Sequence, residues 1–214
     1  MRLRKIKGAQ EFLEKHPELV ILNPKEYKGH WNEVFGNDNP IHIEIGSGKG
    51  QFIYDLSEQN PDINYIAIEK FDSVLIRALE KFIDTDKKNV KLMLFDAGEI
   101  GEVFDEEVDR IYLNFSDPWP KERHAKRRLT SPRFLTQYEE ILKNEIIFKT
   151  DNLDFFNYSV ETFREYGMIL DDVTYDLHSL DVENIMTEFE KKFSGLGFNI
   201  NRVIARFKGD NNGK

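Results

Sequence analysis

The stretch Ile41-His42-Ile43-Glu44-Ile45-Gly46-Ser47-Gly48-Lys49-Gly50 sets the fold. Five residues rich in β-branched side chains are too few for a buried helix, and they run straight into three glycines at alternate positions. That pattern predicts a buried strand ending in a tight turn, where glycine lets the backbone bend and approach a ligand. Further short apolar runs follow at Tyr65–Ile68, Val90–Phe95, Arg110–Phe115 and Ile146–Phe148. Helical spacing separates them. Val74, Leu75, Ala78, Leu79 and Phe82 recur at about 3.6 residues, as do Phe134, Leu135, Tyr138, Ile141 and Leu142, behind Ser131 as N-cap and Pro132 at the first helical position. Strands alternating with helices predict crossover units and a doubly wound, mostly parallel α/β sheet. The alternating run Phe198–Phe207 has no helix after it and suits an edge strand, antiparallel to the rest. Residues 1–39, broken by His16-Pro17, Asn23-Pro24 and Gly36-Asn37-Asp38-Asn39-Pro40, read as an irregular N-terminal arm with at most one short helix. The domain proper is expected over 40–208, with a tail at 209–214.

In such sheets ligands lie outside the carboxyl ends of the strands. The first run ends at Glu44 and the glycine turn, the second at Glu69, the third at Asp96-Ala97. Neither familiar phosphate loop fits: a dinucleotide fingerprint needs glycine where Gln51 stands, and a Walker loop needs glycine at Ile43 and a hydroxyl at Gly50. Glu44 suits instead a cationic ligand without phosphate, and Glu69 stands where an acid reaches ribose hydroxyls. Each acid alone is commonly a helix cap or turn residue; three at consecutive strand ends predict a nucleoside site. Lys49 is expected to point to water. The fourth run leads into Asn114-Phe115-Ser116-Asp117-Pro118-Trp119-Pro120, where two prolines fix a Trp beside an acid.

The chain of 214 residues carries 17 Phe, 8 Tyr and no Cys. The aromatics exclude a disordered chain, and the missing cysteines exclude disulfides, thiolate metal sites and thiol nucleophiles. His42-Ile43-Glu44 mimics the His-Xaa-Glu of zinc deaminases, but the cysteines that complete such a site are lacking, so no metal is expected. No apolar run reaches the roughly 18 residues of a membrane helix, and the basic start lacks a signal-peptide core, which predicts a cytoplasmic protein. Net charge is −9, from 30 basic and 39 acidic residues, yet the positive charge is segregated. Arg2, Arg4, Lys5 and Lys7 open the chain, and Lys121, Arg123, Lys126, Arg127, Arg128 and Arg133 stand against Glu122 alone. A basic cluster beside an aromatic platform is the layout expected of an RNA-binding edge.

The motifs Glu-Ile-Gly-Ser-Gly-Lys-Gly (44–50), Asn-Phe-Ser-Asp-Pro-Trp-Pro-Lys (114–121), Arg-His-Ala-Lys-Arg-Arg-Leu (123–129), Lys-Thr-Asp-Asn (149–152) and Thr-Glu-Phe-Glu (187–190) resemble those of the bacterial TrmB-type tRNA (guanine-N7)-methyltransferases. The resemblance covers roughly residues 40–195. It implies a class I, Rossmann-like, S-adenosylmethionine-dependent fold with a seven-stranded sheet and one antiparallel edge strand, methylating N7 of the variable-loop guanine (guanine 46) of tRNA. It implies cofactor contacts at Glu44, Gly46, Gly48, Gly50, Glu69, Asp96, Ala97 and Asp117, with Asp117 also catalytic. Substrate contacts are implied at Lys121, Asp151, Thr187, Glu188, Phe189 and Glu190, and RNA contacts at Arg123, His124, Ala125, Lys126, Arg127 and Arg128. Two features depart from the family pattern: Leu142-Lys143-Asn144-Glu145 lacks a Pro-Gly-Gly turn, and Phe189 stands where a Tyr is usual. Two alternatives stay open on the residues: an amino-methyltransferase acting on another nucleic acid, since Asp117-Pro118-Trp119 is similar to an Asp-Pro-Pro-aromatic motif, and a non-catalytic RNA-binding protein with a relic nucleoside pocket. A nucleotide-dependent oxidoreductase is disfavoured by Gln51.

Overall fold

The computed structural model describes residues 6–209. The basic residues Arg2, Arg4 and Lys5, and the tail beyond 209, lie outside the described residues. Eight strands form one sheet: β1 (Val20–Ile21), β2 (Ile41–Ile45), β3 (Asn64–Glu69), β4 (Val90–Leu94), β5 (Val108–Asn114), β6 (Leu142–Thr150), β7 (Ile169–Thr174) and β8 (Asn201–Arg206), in the order β1-β4-β3-β2-β5-β6-β8-β7. β8 alone runs opposite to the other seven strands, pairing Phe148 with Val203 and Val173 with Val203. The antiparallel strand is therefore one place in from the edge, and β7 is the last strand. The seven expected strands gain an eighth from the arm, β1, which pairs Val20 with Leu92 of β4.

Alternate residues of the buried strands pack against opposite layers. Ile43, Ile45, Ile66, Ile68, Ile111, Leu113, Ile146 and Phe148 face a core completed by α5 (Pro132–Ile141) and α6 (Leu153–Glu165). Tyr65, Ala67, Leu92 and Tyr112 face α3 (Gln51–Gln59) and α4 (Asp72–Phe82). Burial of both faces explains why the strands read as continuous apolar runs. α5 ends at Ile141 and β6 begins at Leu142 with no residue between them, so the missing glycine turn is simply absent.

The arm is more ordered than its turn signals predict. It carries α1 (Ala9–Glu14), β1, a 3₁₀ turn at Pro24–Tyr27 and α2 (Trp31–Phe35). Helices of five or six residues are not stable by propensity; here packing holds them. Leu13 is fully buried in the α3/α4 layer. Trp31 is fully buried in the other layer, donating from Nε1 to the Val103 carbonyl at 2.9 Å. α7 (Glu188–Gly195) lies after an irregular segment that follows β7.

Candidate active site at the carboxyl edge of the sheet

The strand order reverses between β2 and β5, and the acids found in the sequence cluster around that switch point, where open α/β sheets bind ligands. Glu44 on β2 is 3% exposed. Asn114 on β5 donates from Nδ2 to its Oε1 at 2.9 Å, while Oε2 has no partner. Burial pushes the Glu44 carboxyl up to about 8, against the opposing pull of Asn114 and Lys149. Asn114 Oδ1, Ser47 Oγ and Ser116 Oγ are also buried without partners. Unpaired buried polar atoms are rare in folded proteins, and four on residues bordering the switch point fit a site built for a polar ligand.

The glycines of the turn divide by role. Gly46 and Gly48 have φ of +79° and +58°, and a Cβ added to either would meet open space. Gly50 has φ +71°, but a Cβ there would lie 3.0 Å from Ala78 Cβ and 3.3 Å from the Phe82 ring. Its role is close packing of the turn against α4, whereas the other two leave room for a ligand. Glu69, 8% exposed, accepts from the Gly48 amide at 3.3 Å and from the Lys70 and Phe71 amides at 2.9 and 3.0 Å. It thus ties the turn to the start of α4; burial raises its carboxyl above the usual range, and these amides oppose the rise. Asp96 is exposed and caps the next turn by accepting from the Gly98 amide at 2.9 Å; Ala97 beside it is 7% exposed. Lys49 is exposed, as its position in the turn predicts.

Past β5 the chain makes an unusual loop. Phe115 and Trp119 both have positive φ, +50° and +41°, and between them Asp117 is exposed. Aromatic residues in the left-handed region are strained, and such strain gathers at functional sites. Asp151, half-buried, stands at the end of the neighbouring strand β6, so the two acids share one edge.

A family model described as "Putative methyltransferase" matches residues 38–203. A tRNA (guanine-N(7)-)-methyltransferase of Streptococcus mutans is 58% identical over 211 residues, covering 97% of this chain and 100% of the relative. One from Bacillus subtilis is 55% identical over 212 residues, with the same coverage.

The chain belongs to the tRNA (guanine-N(7)-)-methyltransferase family.

The fold is shared more widely: an antibiotic-related methyltransferase superposes with a TM-score of 0.62 at 19% identity, covering 84% of this chain and 94% of that one. Aeropyrum pernix fibrillarin, solved with natively bound S-adenosyl-L-methionine, superposes with a TM-score of 0.53 at 15% identity, covering 79% of this chain and 66% of that one.

In this family member the remaining expected site residues separate into outward and inward groups. Lys121 is exposed just before a 3₁₀ segment, Glu122–Arg127, on which Arg123, Lys126 and Arg127 are exposed and His124 and Ala125 half-buried. Arg127 lies over the Trp119 ring at 4.9 Å and His124 meets it edge-on at 5.8 Å, so the Trp is flanked rather than free. Arg128 turns inward, donating from Nε to the Pro118 carbonyl at 2.8 Å and from Nη2 to the Trp119 carbonyl at 3.1 Å. Glu188 and Phe189 are exposed, Phe189 at 56%, with its ring beside those of Phe115 and Phe193. Thr187 and Glu190 are buried and form a capping box at the start of α7. Glu190 Oε2 meets Lys149 Nζ at 2.6 Å, and Oε1 meets His178 Nε2 at 2.9 Å and Asn184 Nδ2 at 2.6 Å. Lys149 also donates to the Ile185 carbonyl at 3.0 Å, fastening the segment before α7 to β6. The capping-box spacing Thr-Xaa-Xaa-Glu was the sequence signal for this inward pair. Among the described residues no helix is long and apolar enough to cross a membrane, and no three His, Asp or Glu are grouped to hold a metal ion.

Proposed function

We propose that this chain acts in the cytoplasm, transferring the methyl group of S-adenosylmethionine to N7 of the variable-loop guanine (guanine 46) of tRNA. One observation carries the cofactor half of this reading: a buried Glu44 with an unpaired oxygen, beside a glycine turn whose outer side is open, at the switch point of a sheet shared with methyltransferases. Glu44, Gly46, Gly48, Glu69, Asp96 and Ala97 hold the cofactor, and Gly50 fixes the turn from behind. Glu44 meets its cationic ammonium and Glu69 its ribose hydroxyls. When bound, S-adenosylmethionine supplies a methyl group made electrophilic by the sulfonium.

Guanine N7 has an in-plane lone pair, so no proton leaves before attack and no strong base is required. The protein's task is placement: its residues would hold guanine N7 against the methyl group that the bound cofactor would supply. Asp117 accepts hydrogen bonds from the guanine N1 and N2 donors and compensates the charge that arrives on the purine, with Asp151 as the second carboxylate at the same edge. Lys121, Glu188 and Phe189 border the guanine from the solvent side, while Thr187 and Glu190 hold α7 in place from within. Arg123, Lys126 and Arg127 meet tRNA phosphates, with Arg127 also stiffening Trp119. Incubating the protein with unmodified tRNA and labelled S-adenosylmethionine, then identifying the product nucleoside by mass spectrometry, tests the reading. N7-methylguanosine in the variable loop supports it. An exocyclic N-methyl product would favour an amino-methyltransferase, and tRNA retention without label a binding protein.

A further inference from the structure

We propose that Arg128 is a positioning residue that sets where the Asp117 carboxylate stands, rather than a phosphate contact. The inference rests on the role given to Asp117 above. Among the described residues, 116–120 make no backbone-to-backbone hydrogen bond, and Pro118 and Pro120 have no amide hydrogen to offer one. The loop nevertheless holds two aromatic residues at positive φ, which persists only where the surroundings impose it. At its entry, the Phe115 amide donates to the Lys149 carbonyl at 2.8 Å. At its exit, the Arg128 guanidinium binds two successive carbonyls, Pro118 and Trp119. Its Cζ lies 4.0 Å from the centroid of the Tyr158 ring and 5.9 Å from that of Phe155, both on α6. α6 begins at Leu153 behind the Asn152 cap, directly after Asp151. One guanidinium therefore joins the loop bearing Asp117 to the helix that follows Asp151, and keeps the two carboxylates in register.

The guanidinium holds its donors in one fixed plane that meets two successive carbonyls and a ring together; a lysine ammonium keeps the charge but is a point donor without that plane. Arg128→Lys and Arg128→Met, made in the full chain, separate the two roles. The expected result is a fall in kcat at saturating tRNA of about 100-fold in both, with cofactor-product affinity by calorimetry and the salt slope of tRNA binding unchanged. Ethylguanidinium, added below denaturing concentrations, is expected to restore part of the rate of Arg128→Met. The inference is overturned if kcat is retained in Arg128→Lys, or if Arg128→Met keeps kcat and flattens the salt slope by about 0.9, the effect of one lost phosphate contact. Melting curves accompany both variants, and should Arg128→Met not fold, Arg128→Lys with its charge intact decides. A wild-type protein that methylates no tRNA would instead refute the proposed function and is read before either variant.

Discussion

The Lys149 ammonium lies 2.6 Å from Glu190 Oε2, with the two side chains 3% and 0% exposed. Burial lowers the Lys149 ammonium from its usual range. Burial pushes the Glu190 carboxyl upward, but Lys149, His178 and Asn184 outweigh it and hold the carboxyl below its ordinary 4.5. A depressed carboxylate stabilises the fold above its unfolded value, and that contribution disappears as pH falls through the folded one.

Lys149→Met should therefore destabilise the protein by about 3–5 kcal/mol, because it strands a buried carboxylate. The double variant Lys149→Met/Glu190→Leu should recover most of that loss. Urea denaturation compares them, and a double variant no more stable than the single one would show that the pair is not acting as a unit.

Glu44 has the opposite sign. Its carboxyl, at 4.5 in the unfolded chain, stays protonated up to about 8 in the fold, so its contribution to stability falls as pH rises from about 4.5 to about 8. Glu69 and Lys149 are the charged groups facing it. A cationic ligand favours the ionised carboxylate, so cofactor binding should release about one proton near neutral pH and tighten by up to about tenfold per pH unit between roughly 6 and 8. Calorimetry in buffers of different ionisation enthalpy measures the proton. Glu44→Gln should bind more weakly and without that dependence; a wild type that releases no proton would refute the assignment.

The glycine turn should split under substitution. Gly48→Ala adds its methyl group to open space at φ +58°, and is expected to cost roughly 1–2 kcal/mol of stability and to lose cofactor affinity by crowding the site. Gly50→Ala pushes against Ala78 and Phe82, and should lose more stability. Equal stability in the two variants would contradict this division.

Asp117→Ala should keep the melting temperature of the wild type, since the side chain is exposed, and lose at least about 100-fold in single-turnover rate. A rate within about threefold of wild type, roughly 0.7 kcal/mol of barrier, would remove Asp117 from the chemistry.

Lys126→Ala/Arg127→Ala should flatten the plot of log tRNA affinity against log salt by about 2 units at most, one phosphate for each exposed side chain. An unchanged slope would move the RNA surface away from the 3₁₀ segment.

The parallel sheet was readable because its strands, buried on both faces, stand out as apolar runs, and the candidate site because Glu44, Glu69, Asp96 and Asp117 each lie at or just past the end of one. β7 escaped because Ile169–Thr174 carries Asp171 and Asp172 in its middle, paired with Arg206 and Arg202 of β8, contacts between residues 35 and 30 positions apart. The order of the arm escaped for a related reason: Leu13 and Trp31 fold by packing onto layers built from later residues. Arg128 read as one more charge in a basic run, since nothing local tells an inward guanidinium from an outward one. The packing of Glu190 and Gly50 was not legible either, since their partners, Lys149 and Ala78, lie at distant points of the chain.

The chain holds two tryptophans, and the fold gives them opposite optical duties. Trp31 is sealed between Phe104 and Tyr27, with ring centroids at 5.0 and 5.7 Å, so its emission should be blue and respond only to unfolding. Trp119, half-exposed in the Asp117 loop with Arg127 over its ring, should emit further to the red and change when tRNA phosphate engages Arg127. A single tryptophan spectrum then reads integrity through one residue and tRNA occupancy through the other, and Trp31→Phe would leave a clean reporter of the loop.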